Sequence, residues 1–208
     1  MRVANSVHET RPWRIRAIAP DFTVEDVWAL PAYGGAEDFD SLISLMMSLD
    51  PGKGGSLPAR VLWKVRDVLG KWFGLGRISR TGDREERPGS ELPIPGSSEK
   101  SLTDRLPEDL CNTTADLHFP PGPFAPLYRT ANEFAAEVSN RTVHGVLHLA
   151  WVEQGDDRYQ GQMAVYVKPR GPFGTAYMAF IKPFRLLVVY PSLMRLIQGE
   201  WNRRIPQA

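Results

Sequence analysis

The sequence predicts an α+β domain in which an antiparallel sheet packs against a long, proline-kinked C-terminal helix. Three observations carry this. Residues 142–152 and 158–168 alternate apolar and polar side chains around Glu153-Gln154-Gly155-Asp156-Asp157, the pattern of a β-hairpin. Across residues 175–203, Tyr177, Ile181, Phe184, Val188, Met194, Ile197 and Trp201 recur at helical intervals, while Pro183 and Pro191 each remove an amide donor. With 208 residues, 42% of them hydrophobic and 24% charged, the chain is long enough to bury one sizeable core.

The elements follow in order. Trp13, Ile15 and Ala17 alternate with Arg14 and Arg16, which predicts a half-buried strand over 11–18. Asp21 can cap a helix over 22–30. Phe39, Leu42, Ile43, Met46 and Leu49 have helical spacing and predict a second helix. Pro51-Gly52-Lys53-Gly54-Gly55 breaks it, and Leu57, Val61, Val65, Val68, Leu69 and Trp72 form the stripe of a third. Residues 76–105 hold only Ile78, Leu92, Ile94 and Leu102 as apolar side chains, too few to offset ordering entropy. A mobile polar insertion is expected there, either lid or spacer, with a helical turn over 102–110. A strand over 124–129 and a helical patch over 132–138 lead into the hairpin.

The hairpin register follows from its pattern. Val143, Leu147, Leu149 and Trp151 share one face, as do Tyr159, Met163, Val165 and Val167 across from them. A one-residue slip would mix the apolar and polar sets. His144 and His148 then share the other face with Gln160, Gln162 and Tyr166, and that face is expected to meet solvent or a partner. The C-terminal stripe is expected to cover the apolar one, as a long helix with two kinks or two to three collinear pieces.

Lys and Arg number 25 against 24 Asp and Glu, a formal net charge of +1, so no global field favours nucleic acid or an anionic membrane. The single cysteine, Cys111, forbids an intrachain disulfide and favours a reducing, cytoplasmic setting. The first residues lack a signal peptide's apolar core. The nearly apolar stretch 176–194 is interrupted by Lys182, Pro183, Arg185 and Pro191, so no transmembrane segment is expected.

Few motifs point to chemistry. His144 and His148 lie about 13 Å apart along a strand at ~3.3 Å per residue. That is too far for both to reach one metal at ~2.0–2.1 Å each, so no metal is expected. Cys111 has no base signalled beside it. Gly52-Lys53-Gly54-Gly55-Ser56 and Gly74-Leu75-Gly76 lack the spacing and strand–helix context of nucleotide loops, and no cofactor is implied. Arg11, Arg14 and Arg16, with Lys182, Arg185, Arg195, Arg203 and Arg204, offer either a basic rim or a solvated surface. Trp13, Trp28, Trp151, Tyr177, Phe180 and Phe184 are expected to face the interior, as filled core or as cavity wall.

The stretches Asn140-Arg141-Thr142-Val143-His144-Gly145-Val146-Leu147-His148-Leu149 and Tyr177-Met178-Ala179-Phe180-Ile181-Lys182-Pro183-Phe184-Arg185 are similar to those of a bacterial family of unknown function within the START-like, or SRPBCC, superfamily. Pro20-Asp21-Phe22-Thr23-Val24-Glu25-Asp26-Val27-Trp28 resembles the superfamily's approach to its first helix. The resemblance implies a single domain over 1–208 with the helix-grip fold, a curved sheet wrapped around the C-terminal helix. It implies an apolar cavity between the two and carries over no catalytic residue. The expected function is binding of a hydrophobic small molecule or lipid by Trp28, Leu147, Leu149, Trp151, Met163, Val165, Tyr177, Phe180, Ile181 and Phe184. The alternatives are a polyketide-cyclase-like or dehydratase-type enzyme, with Tyr177, Tyr128 or His144 moving protons, and an interaction domain with a filled core. A homodimer is compatible with any of these.

Overall fold

The computed structural model describes residues 1–49, 101–117, 124–139 and 143–205, with the side chain of Phe173 left aside. The expected third helix and most of the expected insertion lie outside these residues.

The fold is α+β, built on one six-stranded, curved antiparallel sheet. In chain order its strands are β1 (Arg2–Val3), β2 (Thr23–Gly34), β3 (Ala125–Arg129), β4 (Glu133–Ser139), β5 (Val143–Gly155) and β6 (Arg158–Pro169), in the spatial order β1-β2-β6-β5-β4-β3. Among the described residues the α-helices are α1 (Asn5–Glu9), α2 (Ile15–Ile18), α3 (Phe39–Ser48), α4 (Gly171–Phe184) and α5 (Tyr190–Arg204). The 3-10 turns Leu102–Arg105 and Glu108–Leu110 fall where a helical turn is expected.

The hairpin of β5 and β6 has the expected register, with Leu147 opposite Val165 and Leu149 opposite Met163. Its loop is tighter than expected. The strands run on to Gly155 and Arg158, and Asp156 and Asp157 turn the chain with φ of 52° and 53°. Positive φ at both positions is what a two-residue type I′ turn requires, and aspartate tolerates it.

Three sequence expectations are corrected. Residues 23–34 form strand β2, not a helix. A bulge between Val24 and Asp26 shifts the alternation by one residue. Val24 and Val27 therefore point the same way at a spacing of three, which imitates a helical stripe. Residues 133–139 form strand β4, because a strand buried on both faces shows no polar alternation and its Glu and Ala read as helix formers. Residues 15–18 form a helical turn that buries Ile15 and Ile18, and the short alternation around Arg14 and Arg16 carries no strand.

The C-terminal segment is three consecutive helical pieces, within the two to three that the two prolines predict. Helix α4 gives way to a wide π-helical turn, Arg185–Val189, directly after Pro183 and Phe184, and α5 follows with Pro191 in its first turn. Pro191 needs no amide partner there.

Both faces of the sheet are buried. On one, Leu30, Phe134, Leu149, Trp151 and Met163 pack with α3 and α5 through Leu42, Ile43, Ile197 and Trp201. At Gly161 a Cβ would lie 2.8 Å from Leu42 Cδ2, so a side chain there would push Leu42 of α3 aside. On the other face, Val27, Ala135, Val146, Ala150 and Ala164 pack beneath the α1–α2 segment and residues 102–110.

Candidate functional site

Among the described residues, the second face carries every buried polar side chain except Asp26. Glu133 and Glu137 sit four apart on β4, so both project from the same side. His148 and His144 sit four apart on β5 and project beside them. His148 Nε2 lies 3.1 Å from Glu133 Oε2, and His144 Nε2 lies 3.1 Å from Glu137 Oε2. All four side chains are buried. The expected solvent-facing or partner-facing side of the hairpin is instead an internal layer, because the α1–α2 segment and residues 102–110 lie over it.

Each carboxylate also holds one covering segment. Glu133 accepts the Arg14 amide at 3.0 and 3.2 Å, at the start of α2, and the Tyr128 hydroxyl at 3.0 Å. Glu137 accepts the Leu102 amide at 3.1 Å and the Ser101 hydroxyl, at the start of the 102–105 turn. Helix and turn N-termini expose unpaired amides, and a carboxylate satisfies them while matching their partial positive charge. The pattern Glu-x3-Glu on one strand and His-x3-His on the next thus clasps two irregular segments to the sheet. Arg14 further bonds Asp109, tying one covering segment to the other.

These contacts set the titration behaviour. Burial pushes the Glu133 carboxyl up, but His148, the Arg14 amide and the Tyr128 hydroxyl outweigh it and hold the group below the usual carboxylate range. Burial, then the charge on Glu133, raises the Tyr128 hydroxyl far above its ordinary value, so it stays a donor. His8 bridges Gln162 Oε1 at 2.7 Å and Tyr166 Oη at 2.9 Å. Burial and the neighbouring His148 lower it to about 4. Its neutral ring donates from Nδ1 to the Gln162 carbonyl and accepts from Tyr166 at Nε2.

An open cleft of about 490 Å³ borders this layer, walled by Arg11, Trp13, Arg14, Leu110, Asn132 and Glu133. A second, of about 760 Å³, lies between Glu37, Asp40, Asp116 and Arg129. Neither is bounded by α4 or α5. Among the described residues no group of three or more His, Cys, Asp or Glu could hold a metal. No described helix is long and apolar enough to cross a membrane.

Of the expected ligand-binding residues, Leu147, Leu149, Trp151 and Met163 come together on the helix-covered face, with Trp28 packed beside them. Val165 lies on the same face, half-buried. Tyr177 and Ile181 are half-buried on α4. The expectation that Phe180 and Phe184 face the interior is corrected, since they are 62% and 48% exposed. Helix α4 turns Gly174 and Met178 inward, and a residue two positions on from Met178 falls on the opposite side. The expected acid–base candidates are divided. Tyr128 and His144 lie across the sheet from the apolar set, and Tyr177 lies on α4.

The expected basic rim is not assembled. Arg14 bonds Asp109, Arg203 pairs with Glu200, and Lys182 and Arg185 reach Glu25 and Asp26. Asp26 is wholly buried in the β2 bulge, where it takes Arg185 Nη2 at 2.5 Å and the Tyr190 hydroxyl at 3.2 Å. That ion pair fastens the π-helical turn to the sheet.

Sequence reasoning missed Glu133, Glu137, His8 and Asp26. The one available signal was a pair of carboxylates at same-face spacing beside a pair of histidines at the same spacing.

No curated protein and no solved structure matches the chain. A family model does match, over residues 18–192, and leaves α1 and Trp13 outside its span. By that match, the chain belongs to the family described as protein of unknown function (DUF2867).

Proposed function

We propose that the protein binds a hydrophobic small molecule or lipid on the helix-covered face of the sheet, at the end nearest α4, as a START-like helix-grip domain. One observation carries this reading: burial on that face is graded. Leu149, Trp201 and Ile197 at one end are fully buried. Val138, Val143 and Val165 at the other are only half-buried, although they point to the same side.

Helix α4 follows β6 directly and contacts it, and the π-helical turn comes next. The segment 171–189 contains no acidic residue, and Tyr177, Ile181 and Val188 on it are half-buried. Apolar side chains left partly exposed gain from an apolar ligand laid against them, at about 25 cal/mol per Å² buried before the costs of association. The π-helical turn gives α4 a point about which to move, because wide turns interrupt the regular ladder of helix hydrogen bonds. The Arg185–Asp26 pair fixes the turn itself, so motion falls on α4.

Native mass spectrometry of the freshly purified full chain tests the reading. A bound species of a few hundred daltons, lost on denaturation, supports it. A bare chain mass that also gains nothing from added sodium oleate overturns it.

A further inference from the structure

Across the sheet from that face, the buried nitrogens Trp13 Nε1 and His148 Nδ1 have no hydrogen-bond partner among the described residues. Their rings are neighbours, with centroids 5.6 Å apart. His8 packs on both, 5.8 Å from Trp13 and 5.3 Å from His148, and Tyr166 closes the group 6.1 Å from His148. An indole N–H only donates. His148 Nε2 faces the Glu133 carboxylate, which only accepts, so in the neutral ring Nε2 carries the proton and Nδ1 offers a lone pair. With that ring neutral, one unpaired atom therefore donates and the one on the adjoining ring accepts.

Buried polar atoms left unpaired are costly and call for an occupant. A single oxygen bearing a hydrogen satisfies both, its lone pair taking the indole proton and its own proton going to the imidazole. A cation does not suit the place, because the indole N–H would point its positive end at it. Trp13 and Glu133 also wall the open cleft with Arg11 and Asn132, so the pair lies behind a solvent-facing surface.

We propose that Trp13 Nε1 and His148 Nδ1 form a binding site for one hydroxyl oxygen, supplied by water or by an alcohol group of a ligand seated in that cleft. Glu133 is the positioning residue, holding His148 in the tautomer that leaves Nδ1 open. The site is independent of the apolar-ligand reading, which concerns the opposite face.

Nuclear magnetic resonance of the 15N-labelled full chain at pH 8 tests it. Long-range proton–nitrogen correlation should show His148 protonated at Nε2. The Trp13 indole proton should show an Overhauser contact to a bound hydroxyl. If that contact is to water and survives added glycerol, water is the occupant. If glycerol abolishes it and shifts both Trp13 and His148, the site takes an alcohol group. Either result upholds the site. In Trp13→Phe with an otherwise native spectrum, the His148 Nδ1 resonance should move as the shared oxygen is lost. Should that variant not fold, the wild-type contact decides. Protonation at Nδ1, or an indole proton in contact with neither water nor glycerol, overturns the proposal.

Discussion

Strand β5 sends Leu147, Leu149 and Trp151 to one side of the sheet and His144, Val146 and His148 to the other, and the two sides achieve burial differently. The first is covered by α3 and α5, regular elements whose apolar stripes match the sheet. Apart from Asp26, which takes Arg185 and the Tyr190 hydroxyl at the β2 bulge, its buried polar contacts are few. Trp151 and Trp201 each give their indole proton to a backbone carbonyl near the end of β2, at Gly35 and Tyr33. The second is covered by short turns with little apolar surface, and carboxylates hold those turns by their amides. Non-directional burial seals one face, while directional bonds of defined protonation state seal the other. The two should therefore fail under different stresses.

The largest effect is expected where the polar face loses its anchor. Glu133→Ala leaves His148, the Arg14 amide and Tyr128 without their acceptor and should cost about 3–5 kcal/mol. Urea denaturation at pH 7 reads this, and a loss under about 1 kcal/mol would mean the segment packs by contact alone. On the other face, Leu149→Ala should cost about 2–5 kcal/mol by cavity formation. A much smaller loss would mean the helices collapse onto the gap.

Acid separates the faces. His8 has a folded value of about 4 against about 6.5 when unfolded. Above pH 6.5 it is neutral in both states and its contribution is complete. Between 6.5 and 4 the unfolded state takes up the proton first, so stability falls, by up to about 3 kcal/mol. Glu133, held low when folded, adds a further loss as pH drops below the ordinary carboxylate range. Stability measured from pH 8 to 4 should carry this slope in the wild type and in Leu149→Ala alike. His8→Gln should flatten the part above pH 4, and an unchanged slope would remove His8 from the account. The smallest effect is expected at the surface. Arg129 pairs with Asp40 and Asp116 beside the larger cleft, and both carboxylates are exposed, so Arg129→Ala should cost about 0–1 kcal/mol in a thermal melt.

The same contrast decides what the sequence could reveal. Side chains that meet regular partners left a period: the hairpin register, α3 and the C-terminal pieces all follow from it. Elements whose period is disturbed did not. The bulge at Glu25 turned β2 into a helical pattern, and burial on both faces hid β4. The clasp was harder still, because its meaning lies in main-chain amides of Arg14 and Leu102, which any sequence could supply. His144 and His148 were placed on the correct face, yet the segments above them carry too little apolar patterning to announce a cover. Phe180 and Phe184 were misplaced for a related reason: a mostly apolar helix does not declare which side turns inward.

The graded burial on the helix-covered face is the claim on which the functional reading rests, and a methyl-resolved titration with sodium oleate tests it most directly. The account predicts saturable shifts at Val138, Val143, Val165 and Ile181, with Leu149 and Ile197 unmoved. Absence of any shift, or shifts confined to Leu149 and Ile197, would contradict it.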